Sequence, residues 1–169
     1  VHKKNVSKKT YKNINYELPV FLFNKSLSLG VKHFIQMSTI SVYGRKSKIK
    51  FNSKLNPENS YGFYKLKADK YILKKKCNMR VTCIRPPMVY GLNAPGNMKS
   101  LIFISKLTIP LPFKNIENQL TFINIKNLIY FISIVINHNL VGVLIPNDKE
   151  ITSKKDIIKN IIKILGKKD

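Results

Sequence analysis

The sequence contains few acidic residues and little cysteine. Asp and Glu number 8 of its 169 residues, whereas Lys and Arg number 31, so the formal net charge is +23. The two cysteines, Cys77 and Cys83, are separated by five residues and have no accompanying histidine at metal-ligand spacing. We therefore expect no metal site, and we expect both thiols to be reduced in a cytoplasmic protein.

Long hydrophobic runs are also absent. The nearest candidate, residues 128–136, is shorter than the roughly 18–20 apolar residues that cross a bilayer. The first residues are polar and basic and are not followed by the apolar stretch of a signal peptide. These features predict no membrane partner, and the length allows one domain with a sizeable core.

The excess of positive charge could indicate a partner that is a nucleic acid. However, only Arg45, Arg80 and Arg85 are arginine, and the lysines are scattered along the chain. Specific nucleic-acid recognition usually depends on arginine forks and aromatic platforms. A basic nucleic-acid-binding protein is therefore the lesser alternative, and we expect no specific nucleic-acid partner. The charge would instead attract an anionic diphosphate substrate.

Helical and strand-like segments alternate in the first half of the chain. Helical spacing over 13–29 is followed by a short apolar strand at 32–38, a helix at 61–75 with Ser60 as a candidate N-cap, and a strand at 79–85. Pro19 either lies in the first turn of the first helix or kinks it. The order predicts an α/β fold, a parallel sheet with crossover helices. Thr39 and Pro86 would lie at the carboxyl ends of its strands, where ligands bind in such sheets.

The pattern changes after residue 91. We expect short helical and extended segments at 99–106 and 109–113, a strand at 122–125, a helix at 126–139, a strand at 141–146 and a last helix at 153–165. This division predicts a first part, residues 1–91, that carries the sheet. The second part, residues 92–169, would be mainly a small lobe.

Thr39, Tyr61 and Lys65 form a candidate acid–base group. Tyr61 and Lys65 are four residues apart and would share a helix face, while Thr39 follows the preceding strand. An ammonium beside a phenol favours the phenolate, so we expect the pKa of Tyr61 to fall from about 10 towards neutrality. Such a tyrosine could exchange a proton with a sugar hydroxyl. A Tyr-x-x-x-Lys pair alone would equally suit an exposed helix surface.

Three segments extend this pattern: GVKHFIQMSTISVYG at 30–44, PENSYGFYK at 57–65 and RPPMVYG at 85–91. Together they resemble the NAD-dependent epimerase/dehydratase family, the extended short-chain dehydrogenases/reductases that act on nucleotide sugars. The segments at 110–113, 122–128 and 148–153 resemble the branch that serves surface-polysaccharide biosynthesis. The resemblance implies a partial Rossmann-like, doubly wound parallel sheet with a small C-terminal substrate lobe.

The resemblance also implies a reaction and a set of site residues. The chain would take part in an isomerase or oxidoreductase reaction as an epimerase, dehydratase or reductase, with NAD as cofactor and a nucleotide-diphosphate sugar as substrate. The implied catalytic residues are Thr39, Tyr61 and Lys65. The implied cofactor-binding residues are Ser38, Tyr61, Lys65 and Pro86, and the implied substrate-binding residues are Thr39, Met88 and Asn97. A homodimer would form through helices 14–29 and 61–75.

The sequence lacks the glycine-rich turn that the family uses to bind its cofactor. None of the seven glycines belongs to a Gly-x-x-Gly-x-x-Gly run, the type of turn that holds a dinucleotide pyrophosphate at a helix N-terminus. We therefore expect a fragment of such an enzyme, which alone would not bind NAD at micromolar concentrations. The alternative is a truncated, catalytically inactive relative, which is also suggested by Leu120 where many relatives place a diphosphate-binding arginine.

Overall fold

The structure is a computed structural model that describes residues 7–46, 49–50, 52–91, 119–149, 151–153 and 163. The helices are α1 (Lys8–Lys12), α2 (Leu18–Ser28), α3 (Ser60–Lys74) and α4 (Ile125–Asn137). The strands are β1 (His33–Met37), β2 (Arg80–Ile84), β3 (Met88–Tyr90), β4 (Gln119–Asn124), β5 (Gly142–Leu144) and β6 (Ile151–Ser153).

The predicted first helix contains a widened turn. A π-helical segment, Asn13–Glu17, joins α1 to α2, and the Leu18 amide donates to the Asn13 carbonyl five residues back. Pro19 follows at the start of α2. Proline lacks an N–H and clashes with the carbonyl four residues earlier in a regular helix, and here it directly follows a departure from the regular pattern. The backbone angles remain helical from Lys12 to Leu18, so Pro19 lies within one helical stretch, directly after its π turn.

The main sheet is parallel and has the order β1-β2-β5. β1 pairs with β2 from His33 opposite Arg80 to Met37 opposite Ile84. β2 also pairs with β5, with Thr82 opposite Gly142. The predicted α/β fold with a parallel sheet is confirmed. β5 follows residue 91 in the chain and nevertheless belongs to the same sheet as β1 and β2.

Helices cover both faces of this sheet, as expected of a doubly wound fold. On one face, α2 and α3 contribute Phe23, Ala68 and Ile72 to a core that also contacts Phe34 of β1. On the other face, α4 contributes to a second core, which contacts Ile35 of β1. Neighbouring residues of a strand point to opposite faces, so β1 contributes to both cores. Burial of each large apolar side chain stabilises the fold by about 1.5–3 kcal/mol.

A second sheet has the order β3-β4-β6, in which β3 and β4 are parallel and β4 and β6 are antiparallel. The predicted strand at 122–125 and helix at 126–139 are confirmed as β4 and α4, with slightly different ends. The segments predicted at 99–106 and 109–113 lie outside the described residues, as does nearly all of the helix predicted at 153–165. Within the described ranges, no helix has the length and apolar character needed to cross a membrane.

Candidate active site

The candidate site is built on the carboxyl ends of β1 and β2. Backbone pairing continues past these strands: the Ser38 amide donates to the Ile84 carbonyl at 2.7 Å, and the Ile40 amide donates to the Pro86 carbonyl at 3.1 Å. Thr39 follows as the N-cap of a 3₁₀ turn, Ile40–Tyr43, and its hydroxyl accepts from the Ser41 amide at 3.2 Å. These bonds fix Ser38, Thr39 and Pro86 side by side, as the strand order predicts.

α3 approaches this turn very closely. A Cβ on Gly62 would lie 2.7 Å from the Ser41 carbonyl oxygen, so only glycine allows the contact. The N-cap of α3 is Asn59, whose side-chain oxygen accepts from the Gly62 amide at 2.8 Å. The predicted N-cap at Ser60 is therefore wrong by one residue. The close approach brings Tyr61, next to Gly62, against the strand end.

Thr39 and Tyr61 are hydrogen-bonded through their side chains. Burial raises the pKa of the Tyr61 phenol above its usual value, the Thr39 hydrogen bond lowers it, and the negative charge of Asp69 adds to the rise. The expected fall of this pKa towards neutrality is therefore contradicted, because burial outweighs the stabilisation of the phenolate. The predicted proximity of Thr39 and Tyr61 is nevertheless found.

Lys65 lies one helical turn after Tyr61. Its Nζ donates to the Met37 carbonyl at 2.8 Å, at the end of β1. Burial lowers the pKa of Lys65, and the carboxylate of Asp69 partly opposes that change. The lysine is partly buried beside the residues that precede Thr39, on the same helix face as Tyr61.

The remaining predicted site residues differ in their surroundings. Ser38 is buried and its hydroxyl donates to Asp69 at 2.7 Å, so this hydroxyl is directed at the helix behind the strand end. Pro86 is buried directly after β2 and Arg85. Met88 begins β3, opposite Phe122 of β4. Asn97 lies outside the described residues.

A buried polar network lies behind the site, and sequence reasoning missed it. Asp69 accepts from Ser38 and also from Arg85 Nε at 3.0 Å, and Arg85 Nη1 donates to the Tyr43 hydroxyl at 2.8 Å. The spacing in the sequence could have indicated Asp69, because it follows Lys65 by four residues and Tyr61 by eight. All three therefore share one face of α3.

A parallel, doubly wound sheet with Thr, Tyr and Lys side chains gathered at its strand ends defines a Rossmann-like α/β protein. The chain belongs to the NAD dependent epimerase/dehydratase family, whose sequence profile matches residues 1–143. The family resemblance seen in the sequence is thereby confirmed.

The relatives that resemble this chain include enzymes of nucleotide-sugar metabolism. UDP-glucose 4-epimerase of Vibrio cholerae is 33% identical over an alignment of 135 positions, which covers 76% of this chain and 41% of that protein. Among solved structures, Bordetella bronchiseptica WbmG in complex with NAD has a TM-score of 0.82 at 18% identity, covering 98% of this chain and 54% of that one.

Bacillus cereus UDP-glucuronic acid 4-epimerase in complex with NAD also has a TM-score of 0.82, at 22% identity, and 57% of its chain is covered. This chain thus spans between about two fifths and three fifths of the length of these relatives. The structural likeness establishes the fold.

Proposed function

We propose that this chain supplies the acid–base and substrate-binding part of an NAD-dependent nucleotide-sugar epimerase or dehydratase. The observation that carries the proposal is the Thr39–Tyr61 hydrogen bond beside Lys65, at the carboxyl ends of two parallel strands. The relatives named as UDP-sugar 4-epimerases support the substrate class. A reductase of the same family would use the same three side chains.

Tyr61 would act as the general base and acid at the sugar ring. To do so it must lose its proton, and Thr39 favours this by hydrogen-bonding the phenol. Lys65 would add positive charge near the phenolate once substrate and cofactor exclude water from the cleft. The Thr39 hydroxyl would also bind the substrate hydroxyl whose proton Tyr61 accepts.

The residues around Lys65 fit the nicotinamide end of NAD. An ammonium has three N–H donors, and the Met37 carbonyl accepts from it at 2.8 Å, which leaves donors for a ribose diol. Pro86 would lie beside the nicotinamide ring, whereas the Ser38 hydroxyl is engaged by Asp69, so Ser38 would contribute through its backbone. When bound, NAD would accept a hydride from the sugar and return it.

The distribution of charge supports an anionic substrate. In the described part of the chain, each acidic side chain has an ion-pair or N–H hydrogen-bond partner. The pairs are Glu17 with Lys12, Glu58 with Arg45, Asp69 with Arg85, and Asp148 with Asn124 and Asn127. The many remaining lysines therefore create a positive field, which would attract a nucleoside diphosphate. Met88 and Asn97 remain proposed substrate contacts. Within residues 92–169, β5 and α4 belong to the main sheet and its covering layer, and the remainder is the proposed substrate lobe.

We also propose three further properties for this protein. A role in surface-polysaccharide biosynthesis follows only from the resemblance of the second half of the sequence. A homodimer is supported by exposed apolar side chains on the outer face of the first helical stretch and on α3; they are Ile14, Leu18, Phe21, Leu22 and Phe63. A cytoplasmic location agrees with the two free cysteines.

Substitution Tyr61→Phe tests the proposed reaction. Removing the phenol oxygen is expected to lower turnover of UDP-glucose in the presence of NAD by roughly 100- to 10,000-fold, the contribution of a positioned acid or base. The assay uses the full-length product of the reading frame that encodes this chain. Tyr130→Phe is the matched control, because Tyr130 is an exposed tyrosine of α4.

Two outcomes would count against the proposal. Near-normal turnover by the Tyr61→Phe variant would remove Tyr61 from the reaction. If the unsubstituted protein converts none of a panel of nucleotide sugars, the alternative of an inactive relative is favoured.

A further inference from the structure

The buried ion pair between Asp69 and Arg85 is not explained by the acid–base roles assigned above. Asp69 is 0% exposed and Arg85 is 4% exposed. A guanidinium does not lose its proton inside a protein, and a buried charge without a partner is strongly unfavourable. Asp69 must therefore be ionised to match Arg85, although burial alone raises the pKa of the carboxyl.

This pair joins α3 to the ends of β1 and β2, which carry Thr39, Tyr61, Lys65 and Pro86. Asp69 belongs to α3, four residues after Lys65, while Arg85 immediately precedes Pro86. The Ser38 hydroxyl, next to Thr39, donates to the same carboxylate oxygen as Arg85 Nε, at 2.7 Å and 3.0 Å. The guanidinium also lies 5.2 Å from the ring centre of Tyr43, in the 3₁₀ turn.

The geometry leaves part of the carboxylate unused. Oδ2 accepts both hydrogen bonds, whereas the buried Oδ1 has no hydrogen-bond partner among the described residues. On a helix, side chains four residues apart are neighbours, so the carboxylate lies next to Lys65. The titratable or charged groups that interact with it are Lys65 and Tyr61 of α3, and Cys83 and Arg85 of β2 and its end.

We propose that Asp69 is a positioning residue: its link to Arg85 and Ser38 holds the two strand ends against α3, and its negative charge, one helical turn from Lys65, favours the protonated form of that lysine. Its importance for catalysis rests on the function proposed above. The electrostatic effect on Lys65 does not depend on the proposed function, because it is a property of the folded chain. Both effects follow from one carboxylate, which belongs to a buried ion pair and lies one helical turn from the partly buried ammonium of Lys65.

The test measures the titration of Lys65 in the Asp69→Asn variant. The chain is labelled with ¹³C at lysine Cε, and the Lys65 resonance is identified by its loss in Lys65→Arg. Removing the neighbouring anion is expected to lower the pKa of Lys65 below that of the unsubstituted chain. Asp69→Glu, which keeps the charge, is expected to restore most of that difference.

The direction of the shift separates this role from a merely structural one. If Asp69 only supported packing, its loss would open the site to water, and the pKa of Lys65 would rise towards its ordinary value near 10.5. An upward or absent shift in a folded Asp69→Asn variant therefore overturns the proposal. Asp148→Asn is the matched control and should leave Lys65 unchanged, because Asp148 interacts with Asn124 and Asn127 instead.

A second variant protects the test against unfolding, since Asp69→Asn leaves the Arg85 guanidinium buried without a counter-charge. Asp69→Asn/Arg85→Gln removes both charges together, and the pKa of Lys65 should again fall. An unchanged or higher pKa of Lys65 in this neutral variant would overturn the electrostatic role. The readout needs neither NAD nor sugar, so it can succeed or fail independently of the Tyr61→Phe assay.

Discussion

At the scale of single residues, Thr39 serves both the fold and the site. Its hydroxyl caps the 3₁₀ turn by accepting from the Ser41 amide, contacts the Ser41 hydroxyl at 3.2 Å, and is hydrogen-bonded to Tyr61. The side chain is 8% exposed, so these contacts are shielded from water. One short side chain thereby sets both the path of the backbone and the surroundings of the phenol.

Substitution Thr39→Val is expected to raise the pKa of Tyr61 further. Burial raises this pKa and the Thr39 hydrogen bond opposes the rise, so loss of the hydroxyl leaves the effect of burial less opposed. The measurement is a ¹³Cζ tyrosine titration, with the Tyr61 resonance assigned through its absence in Tyr61→Phe. Thr39→Ser keeps the hydroxyl and should titrate close to the unsubstituted chain; an unchanged pKa in Thr39→Val would contradict the assigned hydrogen bond.

At the scale of elements, the first helical stretch and α3 present apolar side chains to the outside. Phe21 is 63% exposed and Phe63 is 44% exposed. Lys67 Nζ lies 5.3 Å from the Tyr16 ring centre and 5.6 Å from that of Phe63, so it connects the two helical surfaces. Exposed apolar groups at helical spacing on adjacent helices are typical of a face that packs against a partner.

Substitution Phe21→Lys is expected to disrupt the proposed homodimer. An aromatic residue at the centre of an interface often contributes about 2 kcal/mol or more to the binding free energy. Its loss corresponds to a dissociation constant that is roughly 30-fold larger. Sedimentation velocity over a range of concentrations measures this change. Ile136→Lys is the control, because Ile136 is also well exposed, at 54%, but belongs to α4. A chain that is monomeric without substitution would disprove the dimer.

At the scale of the whole molecule, the chain holds only part of what a dinucleotide needs. Lys65 and Pro86 are our proposed contacts for the nicotinamide end, whereas no Gly-x-x-Gly-x-x-Gly run for the pyrophosphate occurs in the 169 residues. A pyrophosphate is held by backbone N–H groups at a helix N-terminus and by charge-assisted hydrogen bonds. Affinity for NAD should therefore be the property most affected by the limited extent of the chain.

We predict that this 169-residue chain, produced alone, does not bind NAD at micromolar concentrations. Losing two charge-assisted hydrogen bonds of about 1.5–3 kcal/mol each weakens binding by roughly a hundredfold or more. Calorimetric titration with NAD measures the affinity, and a relative that contains the glycine-rich segment is the positive control. A dissociation constant in the low micromolar range would show that other residues hold the adenosine side.

The sequence by itself determined the α/β alternation and the proximity of Thr39 to Tyr61. Both depend on local periodicity and on the rule that parallel strands end at one edge of the sheet. Only the tertiary structure decided the direction of the Tyr61 pKa and the partnership of Asp69 with Arg85. Burial and long-range contacts are set by how the helices pack on the sheet, and a carboxylate in a sequence carries no record of the depth at which it will lie.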